Sequence, residues 1–311
     1  MKRTHIIVLV SVVALGLVGG AFFKNYQDKQ EVLMIKEAQA KTAITQEAAI
    51  KTAKEDKNQK LQTAVDSLVK TYGGEYSVYV EDLKDGVTYT CNEKAMPSAS
   101  MIKVFILAKA YEEMAAGRLN EEEIIVLEGT DIVGGAGNIQ GMPVGSKLSI
   151  KYLLRQMIIE SDNIATNLII NRLGMGNINA YIAKNGYTKT KLQRLMMDFT
   201  AQRQGRENYT SVQDLGKIFT LLYKHQCING PMDDKMIGIL KDQTDNDKLP
   251  KGVPGGTVIA HKTGELVGVY NDGGIIYSHK GDYVVVVMTN HVGGEAISRI
   301  GAISRAIYNV I

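Results

Sequence analysis

The segments with strand character sit at two separated places in this chain, with a long helical stretch between them. Tyr76, Val78 and Val80 alternate with Ser77, Tyr79 and Glu81, and Asp85-Gly86 makes a hairpin turn into Val87-Thr88-Tyr89-Thr90. Strand-like runs return only at Val258–Lys262, Gly273–Ser278 and Tyr283–Met288, ahead of a last helix from about Glu295 to Val310. The middle, roughly Ser100 to Leu240, reads as helices. The expected fold is therefore α+β. One antiparallel sheet is built from N- and C-terminal strands with flanking helices, and the middle forms an all-helical lobe. Leu61, Val65, Leu68 and Val69 have helical spacing and open the folded domain at 61–311, with Gly73-Gly74 as the stop.

The N-terminus reads as an export signal, residues 1–24. Lys2 and Arg3 precede an apolar run from Ile6 to Phe23, which as a helix is about 27 Å long and close to the bilayer core. The leading positive charges predict a cytoplasmic start and a domain outside the cell membrane, tethered by a single pass. Gly19-Gly20-Ala21 offers the alternative of cleavage and secretion. Residues 25–60 are rich in Ala, Lys, Glu and Gln, without Gly or Pro, and predict a polar helical stalk. A net charge of +3 with no long basic run argues against nucleic acid as a partner. Cys91 and Cys227 fit no metal pattern. Neither a metal nor a cofactor is expected. Two buried free thiols are favoured over a disulfide, and a monomer is expected.

Three short motifs carry the chemistry. They are Ser100-Met101-Ile102-Lys103, Ser161-Asp162-Asn163 and Lys262-Thr263-Gly264, separated by 61 and 101 residues. Ser100 follows Pro97-Ser98-Ala99 and opens an apolar helix, and Lys103 is three residues on, so both share one face. Burial among Ile102, Val104 and Phe105 would lower the lysine pKa and let a neutral amine take the serine proton. A second copy of the pattern, Ser67-Leu68-Val69-Lys70, lies inside an amphipathic helix, where both polar residues suit a solvated surface. Ser161 can relay a proton, Asn163 can position a lysine or a substrate amide, and Asp162 can brace the loop. Lys262 and Thr263 can bind a carboxylate, and Gly264 lets a substrate backbone approach the strand. Each motif alone has a dull explanation: helix caps, or a solvated edge strand. Three in this order, each at a helix start, loop or strand end, do not.

In these motifs, and from about Leu61 to Ile311, the chain resembles the class A β-lactamase group of penicillin-recognising serine hydrolases. The resemblance implies that Ser100 is the acylated nucleophile, Lys103 its activator and Ser161 the shuttle. It makes Asn163 a positioning group, Lys262 and Thr263 the carboxylate site, and the backbone N–H groups of Ser100 and Glu265 the oxyanion hole. It implies a β-lactam or a cell-wall peptide as the small-molecule partner. The departure lies at Thr190 to Ser211. Arg194 stands where the family's active-site loop begins, but the position of the water-activating Glu falls on Met196, and a thioether is no base. Asp198 and Glu207 are the candidates for that role, and Asn208 falls where the loop's salt-bridge aspartate is expected. No arginine follows on the strand after Lys262-Thr263-Gly264, where Asp272 and Gly273 stand. The expected activity is β-lactam hydrolysis through an acyl-enzyme, with slow deacylation. The alternatives are a cell-wall D-Ala peptidase (a penicillin-binding protein) and a non-catalytic sensor; the intact Ser100, Lys103, Ser161 and Lys262 argue against the last.

Overall fold

The computed structural model describes the backbone of residues 2–311 and the side chains of residues 24–311. The apolar run expected to enter a membrane, residues 6–23, lies outside the residues whose side chains are described. Among the described residues no helix is long and apolar enough to cross a membrane. The chain divides into two units, one ending at Asp56 and the other Lys57–Ile311. Helix α1 (Lys2–Val69) runs through the first and ends in the second. In the first unit, side chains from residue 24 onward are exposed.

In the second unit, β1 (Glu75–Asp82) and β2 (Thr88–Cys91) form the expected hairpin. The short β3 (Met96–Pro97) follows, then a 3₁₀ turn over Ala99–Ile102 and α2 (Lys103–Ala115). The lobe continues through β4 (Ile124–Val126), β5 (Lys147–Ser149), α3 (Ile150–Ile159), α4 (Asn163–Leu173) and α5 (Met175–Lys184). After a loop come α6 (Phe199–Arg203), β6 (Tyr209–Thr210), α7 (Val212–Tyr223) and α8 (Gly230–Lys241). The chain then returns to the sheet with β7 (Val258–Leu266), β8 (Val269–Tyr277) and β9 (Tyr283–Asn290), and ends in α9 (Ala296–Val310). Strand order is β2-β1-β9-β8-β7, antiparallel throughout, so the two ends do meet: Glu75 pairs with Asn290 and Asp82 with Tyr283. The α+β expectation holds.

The sheet is buried on both faces, which is why β9 reads as an unbroken apolar run, Tyr283 to Met288. Tyr283, Val285 and Val287 pack with Leu61, Val65 and α9 residues Ile300, Ile303 and Ile307. Val284, Val286 and Met288 face the lobe, with Phe105, Leu107 and Phe219. Helix α2 is buried from Lys103 through Tyr111. A helix that is apolar on every side belongs in the middle of its lobe, and this one carries Lys103 there. Two boundaries and the burial of the cysteines differ from expectation. Ser100 lies in the 3₁₀ turn, and the α-helix begins at Lys103. Lys262-Thr263-Gly264 does not end its strand; β7 runs on to Leu266 because Leu266 pairs with Val269 across a tight hairpin. Cys91 and Cys227 are free, as favoured, but both are half-buried rather than buried.

α7 crosses β1 at Gly216, where a Cβ would fall 2.3 Å from the Tyr79 ring. Alanine normally gains about 1 kcal/mol over glycine inside a helix, but overpacking costs about 1–3 kcal/mol. Gly216→Ala should therefore lower the urea-unfolding free energy. Gly238→Ala, on α8 with nothing within 4 Å of the new methyl, should raise it.

Candidate active site

Lys103, at the first turn of α2, is fully buried, and its Nζ donates to Ser161 O (2.6 Å), Ser161 Oγ (3.2 Å) and Asn163 Oδ1 (3.1 Å). Lys262, on β7 and also fully buried, donates to the same Ser161 Oγ at 3.1 Å and to Thr263 O at 2.7 Å. One hydroxyl thus joins two lysines that are far apart in sequence. The loop that presents it is held by Asp162, whose Oδ1 caps α4 at Ala165 N (2.8 Å) and whose Oδ2 accepts from Ile139 N (2.9 Å). Ser161 itself has φ 53°, a left-handed conformation that non-glycine residues seldom adopt and that aims its side chain between the lysines. Gly137 allows the facing loop to close, because a Cβ there would meet Asp162 Oδ2 at 2.2 Å.

Ser100 lines a cleft of about 190 Å³, with Asn163, Met196, Phe199, Glu207 and Glu265 also on its walls. Strand β7 passes close behind the serine: a Cβ on Gly264 would sit 3.0 Å from Ser100 N and 3.1 Å from Met101 N. Ser67, the second copy of the pattern, is on the exposed side of α1 and bonds only to Ala64 O among the described residues. Burial pushes the Lys103 amine well below its ordinary range, and the Lys262 charge adds to the shift while Asp162 opposes it. Burial likewise takes Lys262 down to about 7, with Asp245 and Asp272 opposing. Two ammonium groups sharing one hydroxyl in a dry site are costly. With Lys103 neutral, Ser161 can donate to its lone pair and accept from Lys262, so every polar atom in the chain of bonds is used.

The loop at 190–211 departs from what the residues suggest. Met196 lines the cleft and is buried; its backbone N–H donates to Asn167 Oδ1 (2.8 Å) and its carbonyl accepts from Asn167 Nδ2 (3.1 Å). Both candidates for water activation are engaged elsewhere, Asp198 through one carboxylate oxygen and Glu207 through both. Asp198 caps α6 through Ala201 N at 2.9 Å. Glu207 is on the cleft wall, but its carboxylate accepts from Arg194 Nε (2.9 Å), Arg194 Nη2 (3.0 Å), Gln202 Nε2 (3.0 Å) and its neighbour Asn208 N (2.8 Å). Four donors fill a carboxylate's acceptor sites. The loop's ion pair is therefore made by Glu207, and Asn208 closes the loop by bonding Gln193 N, Arg194 N and Arg194 O instead.

Two further charged groups stand beside the site, and of these Lys248 carried no sequence signal. Lys248 lies in a turn before β7 and pairs with Asp245 (2.7 Å) and Glu265 (2.5 Å). Asp272, on β8 beside β7 and fully buried, pairs with His261 Nδ1 (2.9 Å) and accepts from Leu249 N (3.0 Å).

The sheet, the lobe and the serine–lysine cluster between them define a serine hydrolase of the β-lactamase fold. The chain belongs to the Beta-lactamase enzyme family, whose model matches residues 60–311. It is similar to a β-lactamase of Streptomyces lavendulae, 23% identical over 241 residues, covering 75% of this chain and 79% of that one. It is similar to the β-lactamase VEB-1 of Pseudomonas aeruginosa, 24% identical over 238 residues, covering 70% and 79%. Among solved structures, that of PBP-A is 27% identical with a TM-score of 0.75 and covers 80% of this chain and 94% of its own. A β-lactamase from Sphaerobacter thermophilus DSM 20745 is also 27% identical, with a TM-score of 0.73 and coverage of 80% and 95%.

The depressed pKa of Lys262 has a thermodynamic consequence. Unfolded, the amine titrates near its ordinary value of about 10.4; folded, near 7. Between these values the unfolded chain binds more protons, so the Lys262 contribution to stability rises with pH and its penalty is full below 7. The stability difference between wild type and Lys262→Met should move toward wild type by about 2 kcal/mol from pH 7 to 9. Urea unfolding at the two pH values measures it; a pH-independent difference would mean that Lys262 stays charged when folded.

Proposed function

We propose that the chain is a class A-type serine hydrolase that opens β-lactams through an acyl-enzyme on Ser100 and releases the acyl group slowly. The observation that carries this reading is the bonded chain Lys103–Ser161–Lys262 behind a serine that lines a cleft. Ser100 Oγ attacks the carbonyl carbon, and its proton passes to the neutral Lys103. The developing oxyanion is taken by the backbone N–H groups of Ser100 and Glu265. As the ring C–N bond breaks, Ser161 gives its proton to the leaving nitrogen and is reprotonated from Lys103, so no proton is left over. Lys262 and Thr263, next to Ser161, receive the substrate carboxylate, and Asn163 holds Lys103 or the substrate amide.

The second step lacks a partner. Met196 offers no proton acceptor to a water, Asp198 is a cap and Glu207 is fully bonded. This also favours a second reading, a D-Ala peptidase whose acyl group leaves to an acceptor other than a well-placed water. The similarity to PBP-A supports both readings. A leucine-to-glutamate variant of PBP-A, 27% identical to this chain, is described as an acyl-enzyme complex with penicillin G.

Incubation with benzylpenicillin should give one covalent adduct by intact mass. Ser100→Ala should remove it and Ser67→Ala should keep it; an adduct on Ser100→Ala would end the reading. A chromogenic cephalosporin should show a product burst and then a slow steady rate. General-base assistance is worth about 10²- to 10⁴-fold, so Met196→Glu should shorten the acyl-enzyme lifetime by at least about tenfold. Fast turnover without a burst by the wild type would overturn the slow-release reading.

The apolar run at residues 6–23 supports a domain tethered to the outer face of the cell membrane. Protease added to intact cells should then remove the domain, and recovery of a processed soluble form from the medium would contradict the tether.

A further inference from the structure

We propose that a groove in the helical lobe, between α2, α3 and α8, is a second binding site and takes a small planar molecule that bears a carboxylate. The groove has a volume of about 670 Å³, against about 190 Å³ for the catalytic cleft, and among the described residues the two share no lining residue. Its size is that of a small-molecule site, typically about 300–1,000 Å³. Tyr111 lines it from α2, two turns on from Lys103 and so about 12 Å along the helix. The side chain is only 4% exposed, and the part that is open faces the groove. Its hydroxyl bonds to no described residue, whereas Tyr79, Tyr89 and Tyr223 each place theirs on a carboxylate. A phenol this deeply buried normally has a partner.

The charges around the groove select an anion. Lys151, Arg155, Lys235 and Lys241 line it against only two acids, Glu121 and Asp242. Glu121 is taken by Lys235 at 3.1 Å and Asp242 by Arg155. Lys151 and Lys241 are left without a carboxylate among the described residues; Lys241 lies over the Tyr277 ring at 4.4 Å, which orients its charge but does not cancel it. Burial, with the Glu121 charge adding to it, pushes Tyr111 up to about 12. The phenol is therefore protonated at neutral pH and donates, as the two ammonium groups do. Three donors without an acceptor match a carboxylate. The rest of the lining suits an apolar body: the Tyr111 ring, Ile239 and the methylene stems of the lysines. Gly238, on α8, leaves a strip of helix without side chain, and nothing lies within 4 Å of the position of a Cβ there. A flat ring can lie on that strip and stack against the Arg155 guanidinium.

The test is calorimetric titration of the full chain with naphthalene-2-carboxylate and with its neutral carboxamide. The carboxylate should bind one saturable site with a Kd on the order of a millimolar or tighter, and the carboxamide at least about tenfold more weakly. Tyr111→Phe should weaken the carboxylate about tenfold. The same change should leave the urea-unfolding free energy of the free protein where it is, because the hydroxyl has no bond to lose. Gly238→Leu should fill the strip and abolish binding; if that protein does not fold, Lys151→Glu, on the exposed rim, should weaken binding severalfold. Absence of binding to the wild type would overturn the proposal, as would equal binding of the carboxamide or an unchanged Kd in Tyr111→Phe. Binding that survives Gly238→Leu would place the anion in the catalytic cleft, beside Lys262 and Thr263, and would overturn it too.

Discussion

The burial of Lys103 is the constraint on which the site depends. An amine taken out of water must lose its charge or find strong acceptors. Here α2 drives it into the middle of the lobe, and Ser161 and Asn163 meet it there. Everything nearby serves that meeting. Asp162 pins the loop that carries Ser161, Gly137 lets the opposing loop approach, and β7 brings Lys262 to the other side of the same hydroxyl. The chemistry is therefore a by-product of desolvation arranged by the core. A looser lobe that admitted water would relieve the burial that lowers both amines.

The loop beside the cleft keeps its shape without an acidic side chain at Met196. Arg194 is satisfied by Glu207, and the backbone around it is closed by Asn208 and by Asn167, which grips Met196 at both its N–H and its carbonyl. The loop needs no acidic group at Met196 to hold its shape. Structure and water activation are separable here, because the bonds that hold the loop come from its backbone and its ends.

How much of this was legible in the residues depends on the range of the interaction. Ser100, Lys103, Ser161, Asn163 and Lys262 stood out because each belongs to a short motif whose spacing reports a turn, a cap or a strand. The two-ended sheet was legible because turn signals and apolar runs bracket its strands. The partners of Arg194 were not. Choosing between Glu207 and Asn208 is a matter of one residue's phase in an irregular loop, and no periodicity records it. Lys248 was invisible for a different reason: a lysine among Asp245, Asp247 and Asn246 reads as a solvated turn, and only β7 folding over it makes it a buried cation. The extension of β7 past Gly264 was missed because Glu265 has little strand character, and the pairing with β8 decides the matter.

The pairing of β1 with β9 along its whole length, Glu75 with Asn290 through Asp82 with Tyr283, sets a condition on the life of the chain before it is folded. The central sheet cannot be completed until β9 has left the ribosome, although the β1–β2 and β7–β8 hairpins need no residue of β9. The first hairpin must wait with one edge open through the synthesis of the entire lobe. Contacts of such long sequence separation are slow to form, because the loop must be closed before the contact repays it. The serine–lysine cluster needs both the lobe and β7, so it too assembles last. The geometry that joins Ser161 to both lysines therefore draws on segments far apart in the chain, and a chain that ends before β7 holds only the Lys103 half of it.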